Sequence, residues 1–212
     1  MEQAMKMALI AKHSKKFAMT KDGPPVLAGV HYAEDGTAVV ANLYCGLRIK
    51  NVHNYTEPIT VSVATGSKID GIYPYERFNK NFPDEFKVNI SLNKHLIEDA
   101  LKKVKWIRDI AKFYDKRNKA IQLNVDGMTR QIAELKFEND SLKFQACLSK
   151  YDDKETLSIT LNAEFLLNSL QVFKDAGTGE LKIKLNDKIA PIILSDEENE
   201  IDVIILPIRT EA

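Results

Sequence analysis

The chain has 212 residues, 44% of them hydrophobic and 28% charged, which is enough apolar mass for one or two globular domains and excludes a disordered segment. Thirty basic and thirty acidic residues cancel, so the protein does not coat nucleic acid through bulk charge. No apolar run reaches the roughly 18 residues of a membrane span. Met1–Lys16 carries Lys6, Lys12, Lys15 and Lys16 and no apolar stretch leading to a small-residue cleavage site, so the expectation is a cytoplasmic protein without a membrane partner.

In chain order, Glu2–Lys15 reads as a helix with Ala4, Met7, Ala8 and Ala11 on one face. Phe17–Met19, Val26–Tyr32, Thr37–Asn42 and Leu47–Asn51 read as strands, broken by the turn residues Asp22-Gly23-Pro24-Pro25 and Glu34-Asp35-Gly36. Ile59–Ala64 is a further strand. Gly71–Pro83 holds two prolines and the aromatics Tyr73, Tyr75, Phe78 and Phe82, which predicts an extended connector pinned by packing. Phe86–Leu92 alternates like a strand, and Asn93 is placed to cap a helix that runs to about Tyr114 on Leu96, Ile97, Ala100, Leu101, Val104 and Ile107. The opposite face of that helix carries Lys102, Lys105, Asp109, Lys112 and Lys116, at steps of three and four residues. Strands follow at Ala120–Val125, Thr129–Phe137 and Ser141–Leu148. Charge is unevenly spread. Lys94–Lys119 contains nine basic residues against four acids, whereas Asp196–Asp202 contains five acids and no base.

Nothing in the chain points to enzymatic chemistry. Cys45 and Cys147 are far apart in sequence and read as buried free thiols. The histidines His13, His31, His53 and His95 show no zinc-ligand spacing, so neither a metal nor another cofactor is expected. Thr65-Gly66-Ser67-Lys68 lacks the first glycine of a phosphate loop, and no nucleophile elbow is present.

The pattern restarts late in the chain. Residues Ile90–Leu101 align with Ile159–Leu170 at an offset of 69, with four of twelve positions identical, including the capping Asn93 and Asn162. Three strands follow each helix, the second set being Glu180–Leu185, Lys188–Leu194 and Asp202–Leu206. Two such strand-helix-strand-strand-strand units can bury each other's apolar faces. The N-terminal part reads as a third unit, with Ile59–Ala64 as the remnant of a fourth. The expected domains are therefore residues 1–84, smaller, and residues 85–212, complete.

Doubled units of this kind resemble the bacterial sliding clamp, the beta subunit of DNA polymerase III. The segment Phe17-Ala-Met-Thr-Lys-Asp-Gly-Pro-Pro-Val-Leu-Ala-Gly-Val30 is similar to the opening of that family's middle domain, and Ser67-Lys-Ile-Asp-Gly-Ile-Tyr-Pro74 to the segment leading out of it. Leu161–Leu167 and the ending Val203-Ile-Ile-Leu-Pro-Ile-Arg209 are similar to the last domain. The resemblance implies an α+β clamp fold, with helices on one side and antiparallel sheets on the other. It also implies a shortened member lacking the first of three domains, of a kind that suits a phage or other mobile element. The family ring is closed through that first domain. The chain would therefore close a ring with more copies, as two-domain clamps do as trimers, or remain open, dimeric or monomeric.

The implied function is that of a processivity factor, a homo-oligomer that holds duplex DNA without reading sequence and tethers a polymerase or another protein carrying a clamp-binding motif. Phosphates would be met by Lys6, Lys12 and Lys16 on the first helix and by Lys102, Lys105, Arg108, Lys112 and Lys116 on the long one; the same side chains would equally serve to solvate exposed helix faces. The family's pocket for partner peptides lies between its middle and last domains. The matching positions are Leu27, Leu47, Pro74, Phe78, Ile204, Leu206, Pro207, Ile208 and Arg209, several of which would equally suit a buried core. Where the family reads Ala-Thr-Asp-x-His-Arg-Leu, this chain reads Ala41-Asn-Leu-Tyr-Cys-Gly-Leu47, which removes the polar middle of the motif. The alternative is a clamp-like interaction module that binds replication proteins without encircling DNA.

Overall fold

The structure is a computed structural model that describes residues 1–19 and 23–209; Thr20, Lys21 and Asp22, the last belonging to the expected turn, lie outside the described residues. In chain order the elements are α1 (Gln3–Phe17), a 3-10 turn (Pro25–Ala28), β1 (Gly29–Tyr32), β2 (Ala38–Ala41), β3 (Cys45–Ile49), β4 (Ile59–Ser62), α2 (Tyr75–Asn79), β5 (Val88–Asn93), α3 (Lys94–Tyr114), β6 (Ala120–Asp126), β7 (Ile132–Glu138), β8 (Lys143–Lys150), β9 (Thr156–Asn162), α4 (Ala163–Ala176), β10 (Glu180–Leu185), β11 (Ile192–Asp196) and β12 (Ile201–Ile205). The chain divides into two compact units. One holds Met1–Asp84 with Ser195–Ile204, the other Glu85–Leu194 with the chain from Ile205 on. The 195–204 segment thus groups with the first unit, whereas the sequence reading kept everything after residue 84 together.

In the first unit the strands run β4-β1-β2-β3-β12, with antiparallel pairing that sets His31 opposite Val39 and Gly29 opposite Ser62. Helix α1 packs on β2 and β3. Its buried side is Lys6, Leu9, Ile10, His13, Ser14 and Phe17, a one-face helical spacing, and the expected alanine face is not the packed one: Ala4, Ala8 and Ala11 are exposed and Met7 half-buried. The reason is area. Leu9, Ile10 and Phe17 remove far more apolar surface from water than three alanine methyls can. Phe17 closes the helix instead of opening a strand, with the Ala18 amide donating to Ser14 O at 2.9 Å. Val26–Ala28, read as strand, belongs to the 3-10 turn that Pro24 and Pro25 initiate. The expected extended connector contains the short helix α2, and it is pinned as expected by Tyr73 and Phe78, both buried.

In the second unit the repeat falls on matching elements. Asn93 Oδ1 accepts from Leu96 N at 3.0 Å and caps α3; Asn162 Oδ1 accepts from Glu164 N at 2.8 Å and caps α4. The paired positions Ile90 and Ile159, Leu92 and Leu161, and Leu101 and Leu170 are all buried. Chain order gives β5-α3-β6-β7-β8 and then β9-α4-β10-β11-β12. One antiparallel sheet runs β8-β7-β6-β9, and β11-β10-β5 are neighbours in the other. Helices α3 and α4 pack against each other and against these strands. Helix α4 stops at Gly177, whose φ of 71° is the left-handed conformation that suits glycine after a helix. Cys45 is buried, and burial pushes its thiol up to about 12. Cys147 is exposed, against expectation. Inward positions of β8 are Phe144, Ala146 and Leu148, so strand alternation turns Cys147 outward.

Candidate nucleic-acid interface

Helix α3 has the strongest separation of faces in the molecule. Ile97, Ala100, Leu101, Val104, Ile107 and Ala111 are buried, while Lys102, Lys105, Asp109 and Lys112 are exposed, as is Lys116 just beyond the helix. No ion pair or hydrogen bond holds Lys102, Lys105, Lys112 or Lys116 among the described residues. Lys103 differs: it pairs with Asp99 and donates to Cys147 O at 2.6 Å. The C-terminal end is fixed by Asp115, whose carboxylate accepts from the amides of Arg117 and Asn118 at 3.0 and 2.9 Å. The helix thus presents a row of ammonium groups that no ion pair neutralises among the described residues.

Arg108 does not belong to that row. Its side chain is 17% exposed and is engaged by Glu164 of α4 at 3.1 Å and by Asp109 at 2.8 Å. Lys119 reaches the same Glu164 at 3.3 Å. Burial works to raise the Glu164 carboxyl, but the hydrogen bonds from Arg108 and Lys119 outweigh it and hold the group below its ordinary value. Arg108 therefore ties α3 to α4. The single-helix spacing could not show this, because the partner lies 56 residues away.

Lys6 is a second correction. Its side chain is 4% exposed, and its ammonium donates to Glu200 Oε2 at 2.6 Å and to Lys50 O at 2.8 Å. It cannot meet a phosphate without giving up both of these contacts. Hydrogen bonds from Lys6 and Asn51 pull the Glu200 carboxyl below its ordinary value. Two further acids of the Asp196–Asp202 run are held by contacts within the fold. Asp202 pairs with Arg48 at 2.8 Å and accepts from Ser195 at 2.8 Å, and Asp196 caps the Asn199 amide at 2.9 Å. Lys12 and Lys16 are exposed on α1.

Of the expected partner-peptide positions, the first unit holds Leu27, Leu47, Phe78 and Ile204, all buried, and Pro74, exposed. The second unit holds Leu206 and Arg209, exposed, and Pro207 and Ile208, half-buried. Leu47 has no exposure at all. Ile208 N donates to Thr160 O at 2.8 Å. The changed motif has a physical consequence. A Cβ on Gly46 would lie 2.5 Å from Phe78 Cε2, so the Phe78 ring rests on the space that a side chain at 46 would fill. Asn42 Oδ1 accepts from the amides of Tyr44 and Cys45 at 2.8 and 3.0 Å and tightens the turn, leaving Leu43 and Tyr44 exposed.

The first unit also contains a recess of about 620 Å³ that the sequence did not reveal. His31 stacks on Tyr73 at 4.7 Å, and Glu34, Asp35, Asp70, Glu76 and Lys68 line its sides. None of the expected pocket residues line it. The similarity signal in Ser67–Pro74 therefore falls on the wall of this recess. Trp106 and Phe113 were also missed. They are 64% and 79% exposed and lie on the lysine face of α3; the three- and four-residue spacing that picked out the lysines includes them.

Comparison with solved structures decides the fold. The chain superimposes on the beta sliding clamp of C. crescentus with a TM-score of 0.77 at 15% identity, covering 99% of this chain and 65% of that one. The fold is that of the bacterial sliding clamp. The DNA polymerase III subunit beta of Pseudomonas aeruginosa gives 0.79 at 13% identity, with 99% and 66% covered, and the beta subunit of Streptococcus pyogenes gives 0.77 at 16%, with 99% and 65% covered. The chain thus spans just under two-thirds of the length of these clamps. No protein-family model and no curated protein matches it. Among the described residues no helix is long and apolar enough to cross a membrane.

Proposed function

We propose that the protein is a non-enzymatic processivity factor of the sliding-clamp type, which holds duplex DNA without reading its sequence and tethers a polymerase or another replication protein. The observation that carries this reading is the row of unpaired lysines, Lys102, Lys105, Lys112 and Lys116, on the long helix of a clamp-fold chain. Phosphate contacts made by flexible ammonium groups are weak and exchangeable, so a protein that relies on them stays on DNA without stopping at any base. Lys12 and Lys16, exposed on α1 of the first unit, are further phosphate contacts of this reading; Lys6 and Arg108 serve the fold. Partner peptides engage the apolar end of the described chain, with Leu206, 37% exposed, as the accessible anchor beside Pro207, Ile208 and Arg209.

The test is solution mass followed by retention on DNA. A homo-oligomer that stays on nicked circular duplex and runs off the same duplex once linearised supports encirclement. A monomer that binds a polymerase peptide and shows no such difference overturns it in favour of an interaction module that does not encircle DNA. Leu206→Ala is expected to weaken peptide binding roughly tenfold, the loss that marks an anchor and exceeds that of most interface contacts. Unchanged affinity in a folded variant refutes the peptide-site assignment.

A further inference from the structure

The exposed face of α3 is more than a row of lysines. Lys102, Trp106, Asp109 and Phe113 follow at steps of four, three and four residues, which places them within about 60° of one another around the helix axis. Trp106 is 64% exposed and Phe113 is 79% exposed. Neither ring belongs to the core, because the opposite face already supplies six buried residues to it. Large aromatic side chains left in water on a regular helix, with unpaired lysines along one flank, are an uncommon expense unless something covers them.

We infer that this face is a binding strip for single-stranded nucleic acid, in which Trp106 and Phe113 stack on bases while Lys102, Lys105, Lys112 and Lys116 meet phosphates. In a duplex each base is stacked on its neighbours, so an aromatic ring on a rigid helix finds no free base face. In a single strand the faces are available, and the combination of rings and cations is what sequence-tolerant single-strand binding uses. The spacing suits this. Seven residues of helix rise about 10 Å, about three times the 3.4 Å step of a stacked strand, so the two rings take two bases of one strand. Asp109, which sits between the rings, is offset by Arg108 at 2.8 Å and does not leave a bare negative charge in the strip. Phe113 is braced edge-on by Tyr114 at 5.2 Å, and Tyr114 in turn stacks on Phe137 at 5.6 Å. The inference goes beyond duplex holding and does not depend on a ring closing.

Trp106 is the sole tryptophan of the chain, so its fluorescence reports this face directly. Titrating the full-length protein with a twelve-nucleotide oligo-dT is expected to quench it strongly, and a blunt twelve-base-pair duplex, which offers no free base face to the ring, is expected to quench it much less at saturation. By anisotropy, W106A/F113A should lose at least about 30-fold in affinity for the single strand, on the basis of two stacking contacts. Its affinity for the duplex should change less than about twofold. Trp106→Phe keeps a stacking face and should retain most of the single-strand affinity, which separates stacking from loss of fold. Equal losses on single strand and duplex, or an unquenched Trp106, overturn the inference. A blue shift with anionic phosphatidylserine vesicles but no response to oligo-dT overturns it in favour of a membrane surface. Retention on circular duplex reads out the clamp function separately, so either idea can fail without the other.

Discussion

Replacing Lys102, Lys105, Lys112 and Lys116 together by alanine gives the most direct reading of the proposed duplex contact. All four are exposed and none has a partner among the described residues, so the fold has nothing to lose. If each neutralises one phosphate, the slope of log K against log salt falls in magnitude by about 3.6, at roughly 0.9 per contact on B-form DNA. Between 50 and 200 mM salt the intact protein should then lose roughly 150-fold more duplex affinity than the variant does. Fluorescence anisotropy with a labelled duplex oligonucleotide at four or five salt concentrations measures both slopes. Arg108→Ala supplies the contrast. It leaves the slope within about one contact of the parent, because Arg108 already faces Glu164 and Asp109, and it lowers thermal stability by loosening α3 from α4. A slope unchanged in the quadruple variant, or a larger change from Arg108→Ala, refutes the assignment of α3 as the phosphate-facing helix.

Two further outcomes test the fold itself. Lys6→Ala removes the cation beside Glu200 and the donor to Lys50 O, and should destabilise the protein by about 2–3 kcal/mol in urea denaturation; a loss under about 0.5 kcal/mol would return Lys6 to the surface. The same pair sets an acid limit. Because the Glu200 carboxyl is held below its ordinary 4.5, the stability it contributes is present above that pH and is lost as pH falls through the lower folded-state value, and Glu200→Gln should flatten that part of a stability-against-pH curve. Asn93→Ala and Asn162→Ala should each cost about 1 kcal/mol by thermal denaturation, since both side chains accept from the first turn of the helix they precede; a cost at one site only would break the equivalence of the two repeats.

The doubled architecture was legible because it is written in local rules. Asn93 and Asn162 mark helix starts through their own side chains, the apolar spacing of Ile97–Ala111 has one solution on a helix, and a shared offset ties the two signals together. Helix α1 was placed correctly and its buried face was not. Three alanines and a methionine at helical spacing look like a stripe, whereas the decision belongs to Leu9, Ile10 and Phe17 and to an acid far along the chain that draws Lys6 inward. The tightening of Val26–Ala28 into a 3-10 turn is likewise a property of Pro24 and Pro25 acting on backbone that otherwise reads as strand.

The candidate site shows the same division more sharply. Residue type and helical period identify which positions of α3 face water, because that depends only on the helix and its core. They cannot tell a cation in search of a partner from one that has found it, because pairing is a contact between distant segments. Arg108 and Lys112 sit one turn apart on the same helix; Glu164 engages the first and nothing holds the second among the described residues. The useful signal was therefore one of composition along the exposed face. A face that only needed to be soluble would carry acids and bases in mixture, as the paired Asp99 and Lys103 do one turn earlier. A face with unpaired lysines and two bare rings combines charge and stacking surface, and it is that combination, more than the number of lysines, on which the proposed interface rests.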